Sequence, residues 1–542
     1  MQKILKWAKE NLVLIIVVFL YSLLAFFHLG DFEAPQTFHA MNFSETFYIK
    51  LPEETKVSSM MIYNGISYGD VSMNISYMKP SDGCKSCIEH LMLSDENFSD
   101  PRQIKLEGSF KWIKINVENI TSVVRINTDL SAQELSLGEI AFFDSKNNLI
   151  ENIKIGDSEW DLNNENRYPE LTDEQSIVPK DPSLMNSSIF DEVYFAETAY
   201  EYAHGIRGYE TVHPPLGKII QAIPIFITGK MVPFTWRFMG TLTGIFIVIA
   251  MYYLARESFY DDKNKKKYAN ITVVLAAVSS LAFVQTRLGT VDSYLCLFTI
   301  LSFLFMIKFT RTKAFISLLL SGLFFGCAFA TKWSGAFIGI ALAIIYLSKN
   351  RFKNIPKWLG LGTLCFIIIP AIIYFGVYLL FPNTTNAYNI TDVVDQGRDL
   401  YTYHSNEDTP HPYQSAWYTW PISLRPFLYA YDSDSSTITL TENYVICYIS
   451  IIALLASIYY ATRKRDKESI YITLAYCSLF LPYAFISRPM FLYHYLPASC
   501  IAILSITNLI RIISPKKKVI PVIIIVASLI SFITLYRGLV GL

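Results

Sequence analysis

Long apolar runs alternate with short polar connections over most of the chain. One run lies within the first 30 residues and others fill most of the sequence from residue 213 onward, whereas residues 31–190 have the mixed polarity of a soluble domain. A helix needs roughly 20 mostly apolar residues to cross the hydrocarbon core of a membrane. Runs that approach this length predict eleven membrane-spanning helices, at 11–28, 238–255, 269–286, 293–309, 314–331, 335–348, 358–381, 441–461, 468–486, 491–511 and 519–537.

Basic residues cluster at every second connection between these runs. The clusters lie after residue 255, after 309, after 348, at 463–467 and at 516–518. Because Lys and Arg are enriched in cytoplasmic loops, these connections are expected inside and the others outside. This parity excludes a further crossing at 213–230, so that segment is expected to lie along the outer interface or to enter the membrane and return. The outer parts are then 29–237, 382–440 and a short stretch around 487–495, and the connections at 287–292 and 332–334 also face out.

The first apolar run has the basic residues of a signal sequence before it, namely Lys3, Lys6 and Lys9. It ends in FFHLGDFEAP, without the small-residue cleavage site of a secretory signal. We therefore interpret it as an uncleaved first span whose N-terminus lies inside. The chain is expected to be a multi-pass protein of the cell membrane, the plasma membrane if its source is a bacterium.

Residues 45–155 have the pattern of strands rather than that of membrane helices. Stretches such as FYIKL, VSSMMIY and SFKWIKINV alternate apolar and polar residues and are separated by Asn, Gly, Asp and Ser. Six or seven short strands in this length predict an antiparallel β-sandwich, spanning 31–160 with its flanks and followed by a polar linker to 190. Its aromatic residues have two interpretations, stacking on a sugar or packing in the core: Tyr63, Tyr77, Phe110 and Trp112.

Composition narrows the classes of function. Of the 542 residues 52% are hydrophobic, and the formal net charge is zero, which gives no basic footprint for nucleic acid. Six of the eight cysteines lie in or beside apolar runs and are expected to be small buried hydrophobes. Cys84 and Cys87 form the one close pair, in a polar loop, where a local disulfide is favoured over a zinc site.

The stretch SSIFDEVYFAETAYEYAHGIRGYETVHPPLGK, residues 187–218, concentrates the candidate chemistry. Asp191 and Glu192 are adjacent carboxylates at the beginning of an aromatic-rich helical pattern, which Ser187 or Ser188 would cap. A helix N-terminus favours the charged form of both acids. An isolated Asp-Glu pair most often belongs to a capped surface helix, and that interpretation stays open at this point. The parity of the crossings places the stretch outside.

The order and spacing of several motifs resemble protein O-mannosyltransferases and the wider C-type glycosyltransferase fold. These motifs span residues 187–511 and read FDEVYFAETAYEY, VHPPLGK, WRFMG, TRLGTVDSYLCLF, ATKWSGAF, HPYQSAWYTWPISLRP and SRPMFLYHYLPA. The resemblance implies a polytopic α-helical membrane protein, here with an inserted extracytoplasmic β-sandwich as a departure from the family. The closing pattern of that insert is similar to galactose-binding-like sandwiches. The implied activity is inverting transfer of a hexose, mannose in this family, from polyprenyl phosphate to Ser or Thr of a protein.

Such a transfer needs one base for the acceptor hydroxyl and positive charge near the departing phosphate. Asp191 is the candidate base, and Glu192 would place the acceptor or the sugar. Cations at the predicted outer ends of spans are candidates for the donor phosphate and lipid, with interfacial snorkelling as the alternative: Lys218, Arg237, Arg287, Lys332 and Arg488. Residues expected to position the acceptor or sugar are His213, Asp292, His411, Trp417, Trp420 and His494. No cofactor or metal is expected, because the histidines lack metal-motif spacing.

Further expectations concern partners and alternatives. Asp292 is costly near a membrane unless paired, and Arg287 is its expected partner. The same donor chemistry would serve a cell-envelope polymer or a glycolipid as acceptor. A lipid-linked transporter or flippase would typically show internal repeats and mid-membrane charges, and a sugar-binding receptor would not need eleven spans. The expected partners are a polyprenyl-phosphate-mannose donor, a protein acceptor and membrane lipids.

Overall fold

The computed structural model describes residues 8–42, 44–68, 71–80, 93–129, 135–350, 355–431, 436–513 and 519–542. The chain divides into two compact units. The helical unit comprises Met1–Leu29, Thr198–Thr228 and Trp236–Leu542, and the sheet unit comprises Gly30–Glu197 and Gly229–Thr235. The expected disulfide of Cys84 and Cys87 lies outside the described residues.

Apolar helices make up the helical unit, and they coincide with the eleven predicted runs. Their bounds are Leu12–Phe26, Pro233–Ser258, Lys265–Ala277 with Ser280–Arg287, Asp292–Thr312, Phe315–Thr331, Ile338–Asn350, Ile355–Leu379, Tyr444–Arg463, Lys467–Phe480, Leu496–Ile513 and Ile520–Val540. Within the described ranges, six helices are long and apolar enough to cross a membrane, or seven if the pair bent by 57° counts as one. The polytopic architecture is confirmed, whereas the count of eleven crossings and the side of each connection stay predictions.

The connections of the helical unit hold three shorter elements that bear on the site. The helix Leu216–Thr228 has 13 residues. At 1.5 Å per residue it is about 20 Å long, short of the roughly 30 Å of a bilayer core. The helix Ile338–Asn350, which coincides with a predicted span, has the same 13 residues, so the expectation that 213–230 is not a full crossing stays a prediction. The helix Ile390–Asn406, called the loop helix below, begins with a capping box of Asn389 and Asp392, and Phe427–Tyr431 pairs with Thr437–Leu440.

In the described ranges of the sheet unit, seven antiparallel strands form its centre. They are β1 (His39–Ala40), β2 (Ser44–Ser67), β3 (Val71–Tyr77), β4 (Arg102–Leu106), β5 (Lys111–Asp129), β6 (Leu135–Asp144) and β7 (Lys154–Gly156). They belong to one hydrogen-bonded sheet of order β1-β6-β2-β5-β3-β4, with β7 on β2. The expectation of short strands is wrong for β2, which has 24 residues, and for β5, which has 19. The two-layer sandwich and its extracytoplasmic location stay predictions.

The aromatic residues of the insert belong to its interior. Tyr63 and Phe110 are fully buried, and Trp112 is 2% exposed. The rings of Tyr63 and Trp112 lie 5.0 Å apart between centroids. Tyr77 is also buried, at 7% exposure, within the main core of the sheet. The interpretation of these four residues as a sugar-stacking surface is therefore wrong.

The sheet unit begins at Gly30 and extends past residue 160, the predicted end of the insert, to Glu197. The polar stretch after it continues in the sheet unit and contains the helix Glu159–Asn164. Residues 229–235 belong to the same unit because Gln36 bonds to Met231 in both directions, at 3.0 and 2.8 Å. The linker is thus part of the folded insert.

Candidate active site

The acidic motif lies at the beginning of the helix Glu192–Ala203, called the acidic helix below, which starts in the sheet unit and ends in the helical unit. Phe190, just before the motif, has a φ of +48°, a backbone conformation that bulky residues rarely adopt. Asp191 is half-buried, whereas Glu192 is fully buried. The Glu192 Oε2 accepts a hydrogen bond from the Ile189 N–H at 3.1 Å. The two carboxylates therefore differ in surroundings, and Glu192 stabilises the turn that carries Asp191.

The insert holds the segment that precedes the acidic motif. The N–H of Trp112 donates to the Ser187 Oγ at 3.1 Å, and the N–H of Ser188 donates to the Phe110 carbonyl at 3.0 Å. The expectation that Ser187 or Ser188 caps the acidic helix is therefore wrong, since both serines face the strand instead. The sheet supports the position of the acidic motif, a relation between residues that are far apart in sequence.

The second half of the acidic helix, in the helical unit, holds residues 208–215, called the HPP loop below. Thr198 Oγ1 accepts from the Glu210 N–H at 2.9 Å, and Glu201 Oε2 accepts from the Tyr209 N–H at 2.6 Å. Both acceptors are buried. The turn after the acidic helix is thereby fixed by side chains of that helix.

Lys218 is bound within the HPP loop rather than presented to a ligand. Its Nζ lies 2.5 Å from the Glu210 carbonyl oxygen, 2.6 Å from the Glu210 Oε2 and 2.8 Å from the His213 carbonyl oxygen. An ammonium group has three N–H donors, and all three are used. With 1% of the side chain exposed and all three donors bound, the geometry favours a structural role for Lys218 over the expected phosphate contact.

Glu210 is a site residue that sequence reasoning missed. Its other oxygen accepts from the His213 Nδ1–H at 2.7 Å. Burial opposes the charge of this carboxyl, but Lys218 and His213 beside it lower its pKa to about 2. The pKa of His213 is also lowered, by burial first, although Glu210 opposes the shift. The spacing of Glu210 before HPPLGK was the available signal, because a buried lysine requires a counter-charge.

Asp292 pairs with Lys332, not with Arg287 as expected. The Lys332 Nζ lies 2.9 Å from the Asp292 Oδ1, and both side chains are less than 10% exposed. Asp292 begins one helix and Lys332 directly follows the end of the next, Phe315–Thr331, so an antiparallel hairpin brings them together. Lys332 also lies 5.5 Å from the ring centre of Tyr493. This pair places a cation at the end of the helix hairpin.

Arg237 and Arg287 bind backbone carbonyls at the end of the helix Leu12–Phe26. Arg287 donates to the carbonyls of Ala25 at 2.6 Å, Phe27 at 2.8 Å and His28 at 2.6 Å. Arg237 donates to the Leu29 carbonyl at 3.0 Å. Such carbonyls lack partners within the helix, and arginines satisfy them. The geometry favours a structural role over the expected phosphate contact for both arginines.

His404 and Arg488 form a contact that the motifs did not predict. The Nε2–H of His404 donates to the Val212 carbonyl at 2.9 Å, and Arg488 Nη1 donates to the His404 Nδ1 at 2.7 Å. The His404 and His213 rings meet edge to face at 5.7 Å. Burial, followed by the charge of Arg488, lowers the pKa of His404 to about 4. The loop helix carries His404 without any recognisable motif, so no sequence signal marked it.

The remaining predicted residues differ in access. His494 and Trp420 are buried, and their rings stack with centroids 6.1 Å apart. The Trp420 Nε1–H donates to the Ser415 Oγ at 2.9 Å. Trp420 therefore does not offer an exposed face on which a sugar could stack. His411 stacks on Phe427 at 6.2 Å, and burial lowers its pKa. Trp417 is half-buried and lines a cavity, so its positioning role stays a prediction.

Among the described residues of the helical unit, two large cavities bear on the site. One of about 690 Å³ has a mixed lining that includes Asp408, Gln414, Trp417, Arg425 and Arg488. The other, of about 910 Å³, is mostly apolar and is lined by Phe325, Phe329, Trp333, Phe366, Tyr374, Val393 and Tyr401 among others. Volumes of this size are typical of small-molecule sites. The helical unit thus offers one polar and one apolar compartment.

Three carboxylate side chains in the sheet unit lie close enough together to bind a metal ion. In the part of the chain that the structure describes, this is the one such cluster of His, Cys, Asp or Glu. It comprises Glu139, Asp173 and Glu174. Glu139 accepts from the Glu174 N–H at 3.0 Å and from Gln175, and burial raises its pKa to about 8. These contacts are internal hydrogen bonds, and the cluster contains none of the predicted site residues.

Two family models match this chain. The model described as dolichyl-phosphate-mannose-protein mannosyltransferase matches residues 212–374, and the model described as the C-terminal four TMM region of protein-O-mannosyltransferase matches residues 390–541. Together they cover more than half of the chain. Neither match includes residues 30–197, where the sheet unit lies.

Similar proteins agree with these matches. The polyprenol-phosphate-mannose–protein mannosyltransferase of Mycolicibacterium smegmatis is 25% identical over 388 residues, covering 58% of this chain and 74% of the relative. The corresponding protein of Mycobacterium tuberculosis is 26% identical over 383 residues, covering 56% and 72%. A protein O-mannosyltransferase complex of Saccharomyces cerevisiae bound to the sugar donor has the same fold, with a TM-score of 0.57 at 14% identity, covering 65% of this chain and 87% of that one. The chain therefore belongs to the protein O-mannosyltransferase family of membrane glycosyltransferases.

Proposed function

We propose that this chain transfers mannose from a polyprenyl-phosphate-linked donor to a Ser or Thr hydroxyl of a protein acceptor. The transfer proceeds with inversion, at the extracytoplasmic face of the cell membrane. Membership of the family supports the reaction class, and the mycobacterial relatives, which are named for a polyprenol-phosphate-mannose donor and a protein acceptor, support this donor and acceptor. The remaining support comes from the helical unit.

One observation carries the proposal, namely that the loop helix connects an apolar compartment to a polar one. Val393, Gly397 and Tyr401 line the 910 Å³ apolar cavity. His404, further along the same helical face, holds Arg488, which lines the 690 Å³ polar cavity. A lipid-linked sugar has the same division, with an apolar chain joined to a charged phosphate and a hydroxyl-rich ring. In this proposal the apolar cavity binds the polyprenyl chain of the donor, and Arg488 binds its phosphate.

The chemistry is a single displacement. Asp191 accepts the proton of the acceptor hydroxyl as its oxygen bonds to the anomeric carbon. The bond from that carbon to the phosphate oxygen breaks, and polyprenyl phosphate leaves with the electron pair. Arg488 and Lys332 are the proposed phosphate ligands. Arg488 donates to the His404 ring and Lys332 to the Asp292 carboxylate, whereas all three N–H groups of Lys218 are bound, to two carbonyls and one carboxylate. Positively charged side chains beside the leaving phosphate stabilise its negative charge and lower the barrier to sugar transfer, with no metal or cofactor in this proposal.

Glu192 has a supporting role in this proposal. Its buried carboxylate bonds the Ile189 N–H and so fixes the turn that presents Asp191. Glu210 and Lys218 fix the HPP loop in the same sense. These groups stabilise the site without contacting the reacting atoms.

The test is transfer of labelled mannose from synthetic polyprenyl-phosphate mannose to a Ser/Thr-containing acceptor protein by the purified full chain. Replacement Asp191→Asn is expected to lower kcat by roughly 10²–10⁴-fold, the range for loss of a general base, with the donor KM within a few-fold of wild type. Transfer that survives Asp191→Asn within tenfold would overturn the catalytic role. Label that resists protease would overturn the protein acceptor in favour of an envelope polymer or a lipid.

A further inference from the structure

The His404 imidazole lies between a group that only accepts hydrogen bonds and a group that only donates them. The Val212 carbonyl, 2.9 Å from Nε2, has no proton to give. The Arg488 guanidinium, 2.7 Å from Nδ1, has no lone pair to offer. His404 therefore carries its proton on Nε2 and presents the Nδ1 lone pair to Arg488. The two neighbours fix one tautomer of a neutral ring.

The carbonyl that fixes this tautomer is itself held in place. Val212 lies in the HPP loop between Glu210 and His213, which are joined by the 2.7 Å bond from Nδ1 to the carboxylate. Lys218 ties the carbonyls of Glu210 and His213 together at 2.5 and 2.8 Å. The Val212 carbonyl is thus a rigid reference point for His404.

Arg488 gains its direction from His404. A guanidinium has five N–H groups in a planar fork, and one bond to His404 leaves the others available to a planar or tetrahedral anion. Arg488 is half-buried and lines the polar cavity. A long arginine side chain samples many rotamers unless a partner restricts it. The Nδ1 lone pair supplies that restriction from the side of the loop helix.

We propose that His404 is a positioning residue which, as the Nε2–H tautomer held by Val212, aims the Arg488 guanidinium at the phosphate of the lipid-linked donor. This inference rests on the proposed function, in which Arg488 binds that phosphate. His404 does not touch the reacting atoms and acts through Arg488.

The test compares donor kinetics of the purified full chain with synthetic polyprenyl-phosphate mannose for three His404 variants. An Asn side chain places its oxygen near the position of Nδ1, whereas a Gln side chain places its amide near Nε2. We expect His404→Asn to keep the donor KM within about threefold of wild type, since the charged hydrogen bond survives. His404→Gln and His404→Ala are expected to raise it about tenfold or more, with a smaller change in kcat. His204→Ala, at an exposed histidine, is the matched control.

Arg488→Ala separates this inference from the proposed function. If Arg488→Ala leaves the donor KM unchanged, the phosphate role of Arg488 fails and the proposed function loses that ligand. If Arg488→Ala raises the KM but His404→Gln and His404→Ala do not, the positioning role alone is overturned. The double replacement of His404 and Arg488 by Ala should match Arg488→Ala, because His404 acts only through Arg488. A donor KM in the double variant that is a further tenfold higher than in Arg488→Ala would contradict the proposal that His404 acts only through Arg488.

Discussion

Lys218 and Glu210 form an ion pair of 2.6 Å in which neither side chain is more than 6% exposed. Lys218 ends the segment VHPPLGK and is a sequence candidate for the donor phosphate, and Glu210 lies two residues before that segment. Its geometry assigns the lysine to the protein itself, because its three N–H groups end on two carbonyls and one carboxylate. A cation within a recognised motif is therefore not sufficient to identify a phosphate ligand.

Lys218→Met should lower stability rather than donor affinity. Removing one partner leaves a buried, uncompensated carboxylate, which typically costs about 3–5 kcal/mol. The double variant Lys218→Met/Glu210→Gln should recover part of this loss, because it removes both charges. Thermal unfolding in detergent gives the stability, and the donor KM of the folded fraction gives the binding. A large rise in KM at an unchanged melting temperature would show that Lys218 binds the donor after all.

The pair of Lys332 and Asp292 should respond to the donor, unlike the pair of Lys218 and Glu210. Asp292→Asn leaves a buried Lys332 without its counter-charge and should cost about 3 kcal/mol. If Lys332 is a phosphate ligand, polyprenyl phosphate supplies the missing charge and should raise the melting temperature of Asp292→Asn more than that of wild type.

Asp261→Asn is the matched control for this experiment, since it breaks an exposed ion pair with Lys467 at 3.2 Å. Exposed pairs contribute about 1 kcal/mol or less, so neither stability nor its response to polyprenyl phosphate should change noticeably. Equal shifts on ligand addition in Asp292→Asn and wild type would separate Lys332 from the phosphate.

The pattern of hydrophobic residues predicted the helices well, because each predicted membrane helix corresponds to a local run of apolar residues. It failed on strand length for an equally local reason. Pro52-Glu53-Glu54 looks like a turn between two strands, yet the structure keeps one strand, with a register shift between Lys50 and Thr55. Glu118, with a φ of +49°, lies in a similar irregularity within β5. A bulge and a turn share the same residue types, so composition does not distinguish them.

Motifs marked the segments of the candidate site better than the partners within it. Asp292, Lys332, His213 and Arg488 were selected from sequence, but Asp292 was assigned to Arg287, five residues away, instead of Lys332. His404 was missed because its contacts, to Val212 and Arg488, arise across the fold, whereas Glu210 was missed although its partners His213 and Lys218 lie within eight residues of it. Hydrogen-bond partners depend on how helices pack, and one sequence without that packing does not specify them.

Gly108→Ala should disturb the acidic motif through the sheet. Gly108 has a φ of +81°, and a Cβ there would lie 2.7 Å from Cγ1 of Val193, a stiff side chain on the acidic helix. Gly205 has a similar φ of +70° but no atom within 4 Å of its Cβ position, which makes it the matched control. Both replacements should cost about 1 kcal/mol for the backbone, and Gly108→Ala should cost more and lower kcat.

A second replacement separates the steric effect from the backbone effect at Gly108. Val193→Ala removes the Cγ1 atom that the new Cβ would meet, so it should restore kcat in the Gly108→Ala background while the backbone cost persists. Unfolding midpoints and transfer rates of the four variants decide the matter. Equal kcat values for Gly108→Ala and Gly205→Ala would argue against a role of the insert in placing Asp191.

Both the stability of the fold and the binding of the donor should weaken as the pH falls towards the pKa of His404. That pKa is about 4, lowered from the ordinary value of about 6.5 by burial and by the charges of Arg488, His213 and Lys332, with the Val212 carbonyl opposing the shift. Between these two values the folded state binds fewer protons at His404 than the unfolded state does. The contribution of His404 to stability is therefore fully present above about pH 6.5 and is lost as the pH falls through 4.

The same protonation should act on the donor KM. A protonated His404 would direct an Nδ1–H at Arg488, and two donors cannot share a hydrogen bond. The donor KM of wild type should be constant from neutral pH down to about 6 and rise as the pH approaches 4. His404→Asn, which keeps an acceptor but does not titrate, should lack this rise, so the ratio of the two KM values isolates the histidine from other groups that titrate. Parallel profiles for wild type and His404→Asn would assign the pH dependence elsewhere and leave the His404–Arg488 contact without influence on donor binding.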